Sequence, residues 1–319
     1  MKIAVALLIT AFAALTVWGQ APTLHVVTEV PNLPSDLYYG NTKVKPLRLR
    51  PGTNTPITIN DSDFFVNQQY VDFLNRFPDQ SGFDFWVAQI TSCNGDANCI
   101  GGQRDNTSGA FFLSIEFQET GYLAERMYKV AYGDADGTST FGGSHQLKVP
   151  VIRRNEFLPD ELMLSNGVVI GTPGDQARLE ANKVAYANDF VTRSRFTTAF
   201  PSSFTPAQFV DMLNANGGNP LSQAQRDQLV ADLTSGAKTR AQVVRAVAED
   251  SDLVSAEKNK AFVLMQYLGY LRRDPNSGQD TDYTGYDFWL QKLNNHGGDF
   301  HAAQMVRSFI VSGEYLNRF

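Results

Sequence analysis

The chain has 319 residues, 43% of them hydrophobic and 12% aromatic, with a net charge of −6. That apolar content excludes a disordered polypeptide, and the acidic balance argues against nucleic acid or an anionic membrane surface as partner. The length allows two or three units with cores of their own.

Lys2 followed by an almost unbroken apolar run from Ile3 to Val17 reads as a secretory signal peptide over residues 1–19. Val17 and Gly19 are small enough for the cleavage site, which places the cut before Gln20. An uncleaved anchor helix is the alternative, but the run is short and one-sided for a bilayer span. No later stretch is apolar enough to span, so the mature chain is expected to be secreted, periplasmic or at the cell surface. Residues 20–60 hold Pro31, Pro34, Pro46, Pro51 and Pro56 among short β-rich pieces, and read as an extended or short-strand leader.

Helical periodicity begins near Asp61, with Asp61 or Ser62 as candidate cap, and Val66, Tyr70, Phe73, Leu74 and Phe77 form one apolar stripe. Pro78 ends that helix, and Asp79 caps a second one with Phe83, Trp86, Val87 and Ile90 facing inward. Cys93 and Cys99 follow in a Gly/Asn-rich loop. In an exported chain they are expected to form a disulfide, worth ~2 kcal/mol for so short a loop. Zinc is the rival, although two cysteines without a second pair or a matching histidine make a poor site. Residues 110–130 read as a further helix, completing a first helical module over 61–133.

Between 134 and 174 the pattern turns Gly- and Pro-rich around short β-like runs, which predicts a partly extended linker. Helices return from Asp175. Thr205/Gln208, Ser222/Gln225 and Thr239/Gln242 each put a hydroxyl three residues before an amide, the spacing of a capping box, and Pro206 stands at a first helical position. Residues 175–256 form a degenerate middle module and 257–319 the last copy. The expected fold is therefore mainly α: repeated helix-turn-helix modules in two helical units, with a leader and a linker.

Internal similarity defines the copies. Tyr70-Val-Asp-Phe-Leu-Asn-Arg-Phe-Pro-Asp79 matches Tyr267-Leu-Gly-Tyr-Leu-Arg-Arg-Asp-Pro-Asn276; Gly82-Phe-Asp-Phe-Trp86 matches Gly285-Tyr-Asp-Phe-Trp289; Phe111 to Phe117 matches Phe309 to Tyr315. Arg76, Pro78, Asp79, Gly82 and Trp86, with Arg273, Pro275, Gly285 and Trp289, are thus the structural motif. The arginine-proline turn separates two helices, glycine permits close approach, and the tryptophans are expected to drive both helices into a core, burying on the order of 200 Å² each. The middle copy, around Phe209 to Asn214, lacks both the turn and the tryptophan block.

The pattern Tyr-x-x-x-Leu-x-Arg-x-Pro-Asp-x-x-Gly-x-x-Phe-Trp resembles the domain of unknown function 4214, and more weakly the helical domain of phycobilisome linker polypeptides, which are scaffolds. The resemblance covers residues 61–130 and 205–319. It implies an exported bacterial protein of helical modules associated with the extracellular matrix or cell surface, and it carries over no catalytic residue. The chain departs from the pattern in its degenerate middle copy and in six extra residues inside the last one.

Those extra residues carry the strongest chemical signal. Asp274, Asn276, Asp280 and Asp282, with Asp287 just beyond, offer oxygen ligands around a glycine turn, as a calcium loop does. The spacing is not that of an EF-hand, and Asp, Asn and Gly also make ordinary turns. Asp134 and Asp136 are a weaker candidate pair. His296 and His301 flank a Gly-Gly turn that spoils one-face metal spacing, so they are expected at the surface. No Gly-x-Ser-x-Gly elbow, phosphate-cradling loop or His-Glu-x-x-His occurs. The resulting expectation is a non-catalytic interaction or scaffold protein that binds another protein or a surface polysaccharide and needs no cofactor. A calcium-dependent adhesion or glycan-binding module is the alternative, and an uncharacterised hydrolase the second.

Overall fold

The computed structural model describes residues 24–27, 36–45 and 47–319. The expected signal peptide at residues 1–19 lies outside them. The chain divides into two units, residues 1–47 and 48–319. The first holds an antiparallel sheet of β1 (Leu24–Val27), β2 (Asp36–Tyr39) and β3 (Thr42–Val44). Tyr39 faces Thr42 across the Gly40-Asn41 turn, and Gly40 takes the positive φ that a two-residue hairpin loop demands.

The second unit is helical. Its first module comprises α1 (Ser62–Leu74), α2 (Gln80–Thr91), α3 (Ala97–Leu113), α4 (Ile115–Glu119) and α5 (Gly121–Tyr132). Asp61 stands at the N-cap of α1, but its carboxylate turns back to Thr58 N–H (2.7 Å) and Arg50, so it braces the preceding turn instead of capping the helix. Asp79 does cap α2, accepting from Gly82 N–H at 2.9 Å.

The helix expected from residue 110 begins much earlier, at Ala97. Asp96 supplies the cap by accepting from Cys99 N–H at 2.7 Å; the expected loop is confined to residues 92–96, and Asn98, Gly101 and Gly102 lie in the first turns of α3. Cys93 and Cys99 are bonded, with Cα atoms 5.5 Å apart, clipping the end of α2 to the start of α3. Reduction, or a Cys93→Ser/Cys99→Ser variant, is expected to lower stability by ~2 kcal/mol. Urea denaturation with and without dithiothreitol measures this; superposable curves would mean the clip constrains nothing.

Residues 134–174 are not a linker. They form a hairpin of β4 (Ala135–Ser139) and β5 (His145–Val149), then α6 (Arg154–Ser165), whose Phe157, Asp160, Glu161 and Leu164 are buried against α5 and its neighbours. Pro159 looks like a breaker in sequence, yet α6 runs through it, its buried face packed against α5 and α7.

The remaining helices are α7 (Asp175–Phe190), α8 (Ser194–Ala199), α9 (Pro206–Asn216), α10 (Gln223–Ser235), α11 (Arg240–Ala248) and α12 (Ser251–Met265). All three expected capping boxes start helices, namely α9, α10 and α11. A π-helical turn (Gln266–Leu271) leads to α13 (Thr284–Asn295), α14 (Met305–Ile310) and α15 (Gly313–Leu316). Glu257, expected at the start of the last copy, lies inside α12.

The two helical units share one core. Phe73 of the first copy meets Tyr270 of the last at 5.1 Å, and Phe112 stacks on Phe262 at 4.0 Å. Helix α5 is buried along its length, charged residues included. Its Arg126 donates to Ala248 C=O (2.8 Å) and Lys129 pairs with Asp134 (2.6 Å), because a buried charge persists only where a partner replaces water. Among the described residues no helix is long and apolar enough to cross a membrane.

Candidate functional site: two related pockets

Each matched copy builds an open pocket from the same side chains. In the first copy the helix α1 ends when Asn75 adopts a left-handed conformation (φ 51°), which throws Arg76 back across the helix end. Arg76 grips Glu116 of α4 with two nitrogens, at 2.7 and 2.9 Å, and its guanidinium lies 5.0 Å over the Tyr70 ring. Tyr70 meets Phe111 edge-on at 4.7 Å, and Trp86 lies 6.1 Å from Phe111.

The last copy repeats this arrangement. Arg272 takes the left-handed position (φ 56°) and Arg273 turns back. Arg273 grips Glu314 at 2.6 and 3.0 Å and lies 5.3 Å over Tyr267. Tyr267 meets Phe309 at 5.2 Å and Trp289 lies 5.6 Å from it. Ser114 and Ser312 both cap the short helix that carries the glutamate. The cavities measure about 250 and 240 Å³.

The geometry explains the motif glycines. A Cβ on Gly82 would lie 2.2 Å from the Tyr70 hydroxyl, and one on Gly285 2.6 Å from that of Tyr267. It also corrects the reading of the tryptophans. Trp86 and Trp289 are half-buried and line the pocket walls instead of filling the core. Phe77, expected on the buried stripe, is 49% exposed, because the left-handed turn at Asn75 takes it off the helix face.

In the first pocket Asp79 stands 3.6 Å from Arg76. Its carboxyl is held below the usual range by the Gly82 N–H and then by the Ser81 hydroxyl. Sequence alignment puts Asn276 at the matching position, but Asp280 takes the role, 2.7 Å from Arg273. The six extra residues thus loop out and return an aspartate to the pocket. Burial disfavours the charge of Arg76 and Arg273, yet their carboxylate partners raise both above the ordinary arginine value.

The five oxygen ligands expected for calcium do not converge. Asp280 faces the Arg273 guanidinium, which supplies the positive charge a metal would have brought. Asp274 accepts from Arg154 N–H at 2.8 Å, and Asn276 from Arg153 Nη1 at 2.6 Å. Asp282 caps Thr284 N–H at 2.9 Å. Asp287 points the other way, accepting from Ser139 Oγ at 2.7 Å. Asp134 and Asp136 pair with Lys129 and Lys148. Among the described residues no three His, Cys, Asp or Glu side chains gather as a metal site needs. His296 and His301 are exposed.

Ser139, His145 and Asp287 meet, which sequence spacing did not signal. Both partners address the same carboxylate oxygen, with His145 Nε2 3.2 Å from Asp287 Oδ2. A nucleophilic serine needs the imidazole as its base, and here the hydroxyl donates to the aspartate instead. The trio clamps β4 and β5 onto the start of α13. The pocket partners Glu116 and Glu314 hold the same place in the third matched block, but they meet their arginines from 40 and 41 residues away, so spacing did not mark them as ion-pair partners. No protein-family model matches the chain, and comparison with curated proteins and with solved structures finds no similar one.

Proposed function

We propose that the chain is an exported, non-catalytic interaction protein, a scaffold of the cell surface or extracellular matrix built on modules like the domain of unknown function 4214. The observation that carries this reading is the pairing inside both pockets. Each arginine is neutralised by a glutamate and an aspartate, so the pockets offer shape, aromatic walls and a polar rim whose charged groups are engaged with one another. Phe77, Phe85, Leu113 and Ile115 add exposed apolar surface to the first copy, a feature of interaction sites.

The test is cosedimentation of the mature chain, residues 20–319, with envelope material of the producing cells. Saturable binding is expected, weakened at least tenfold in a Trp86→Ala/Trp289→Ala variant whose circular dichroism is unchanged. Binding that does not saturate, or that the double variant retains, would sink the reading. A glycan partner is the second reading, favoured by tryptophan and tyrosine walls beside charged planar groups, which suit the C–H face and the hydroxyls of a sugar ring. Glycosidase treatment of the envelope material then abolishes binding, whereas protease treatment does so for a protein partner. Because the 274–287 oxygens are engaged with protein donors, chelator is expected to leave both binding and melting temperature unchanged. A calcium-dependent shift of several degrees would restore the adhesion-module alternative.

A further inference from the structure

We infer that Ser81, Asp84 and Phe85 on α2 form a docking site for a β-hairpin of a partner protein, one that presents a hydroxyl, an aromatic ring and a basic side chain. The inference rests on the interaction-protein reading and names the class of partner. Its basis is that the last copy already binds such a hairpin through the matching residues.

At α13 the seat is occupied by β4 and β5. Tyr283 N–H donates to Thr138 C=O at 2.9 Å, and Thr140 N–H to Thr284 Oγ1 at 2.9 Å. Ser139 Oγ and His145 Nε2 both reach Asp287 Oδ2. Phe141, at the hairpin tip, packs edge-on against Phe288 at 5.2 Å. The Asp287 side chain is left 6% exposed.

Aligning Gly82 with Gly285 and Trp86 with Trp289 sets Ser81 on Thr284, Asp84 on Asp287 and Phe85 on Phe288. The Phe85–Trp86 and Phe288–Trp289 pairs even share their geometry, at 4.9 and 4.8 Å and nearly equal tilt. Yet Ser81 and Asp84 are exposed, and Phe85 is 54% exposed. Among the described residues Asp84 has one hydrogen-bond partner, Gln80 Nε2 of its own helix at 2.9 Å, and no cation. An exposed carboxylate beside an exposed ring is the complement of a hydroxyl, an imidazole or ammonium group, and an aromatic tip, which is what the resident hairpin brings to α13. One contact is missing: Tyr283, which packs on Gly137 of the hairpin, is replaced by Gln80, so Phe85 and Asp84 must carry the affinity.

The probe is a cyclised peptide of residues 135–149, the chain's own hairpin, added to the mature protein. The mature chain has two tryptophans, Trp86 and Trp289, so its two indole N–H resonances report on the two copies separately. Peptide is expected to shift the Trp86 signal and leave that of Trp289 in place. Phe85→Ala or Asp84→Asn in the protein, or Phe141→Ala in the peptide, should weaken binding at least tenfold. The inference is overturned if millimolar peptide leaves Trp86 unmoved, if Phe85→Ala leaves the affinity unchanged, or if Trp289 responds instead. A dimer in sedimentation that Phe85→Ala dissolves would also overturn it, by making a second copy the occupant. Neither arm uses envelope material, so failure here is separable from failure of the cosedimentation.

Discussion

Asp72→Ala is expected to lose about 3–5 kcal/mol of folding stability, the range for removing one partner from a buried ion cluster. Asp72 sits on α1, and its carboxylate is fully shielded from solvent. It accepts from Arg272 Nη2 at 3.0 Å, from Arg318 at 2.9 and 3.0 Å, and from Gln68 Nε2 at 2.8 Å. Arg318 also donates to Tyr270 C=O at 2.8 Å. One carboxylate of the first copy therefore ties down two arginines of the last. Truncation would strand two partly buried cations side by side, with repulsion added to their desolvation. Urea denaturation measures the loss, and Asp227→Ala, in an exposed pair with Arg226, serves as a control expected to change nothing measurable. If Asp72→Ala unfolded at the wild-type midpoint, the joint between the copies would not depend on this ion cluster, and the Arg307–Asp105 pair, the Gln69–Tyr270 hydrogen bond and apolar packing would carry it.

Glu161→Gln should act in the opposite sense and only above acidic pH. Burial pushes the Glu161 carboxyl up to about 8, against the nearby Asn75 amide and the charges of Arg272 and Arg154, which pull it down. In the unfolded chain it titrates near 4.5. Below that value both states hold the proton and the stability is fully present. As pH rises from 4.5 to 8 the unfolded chain releases a proton that the fold retains, so stability falls. The penalty should reach roughly 3–4 kcal/mol near pH 7.5–8. Glutamine keeps the shape and cannot ionise, so the two proteins should match at pH 4.5 and diverge in favour of the variant toward pH 8. Buried Glu125, raised by burial and by Glu257, contributes a slope of the same sign to both, which cancels in the comparison. A difference that does not change with pH would show that Glu161 is not protonated in the fold.

Local signals were readable from the chain. The three hydroxyl-amide capping boxes start α9, α10 and α11, because such a cap is completed within four residues and needs no distant neighbour. The Cys93–Cys99 pair follows from short separation in a helix-connecting segment. The duplicated blocks identify the pocket arginines, tyrosines, glycines and tryptophans, since identical local constraints left identical residues.

What the chain order concealed are the contacts made across it. Pro159 in α6 and the glycine-rich start of α3 have poor helix propensity, and packing against α5 and capping by Asp96 override it. Propensity terms of about 1 kcal/mol are small beside the burial of several large side chains. The substitution of Asp280 for Asp79 is invisible to alignment, because a loop may leave and return anywhere that lets a carboxylate meet Arg273. The supposed calcium ligands likewise diverge, since donors at the start of α6, on β4, on α13 and in the Arg273 turn each claim an oxygen of one of them. The sequence by itself determined the helical class, the caps, the disulfide and the repeat, all set by interactions within a few residues. Only the tertiary structure decided which copy keeps its aromatic face covered, because Phe141 reaches Phe288 from 147 residues away, whereas among the described residues the ring beside Phe85 is Trp86 of its own helix.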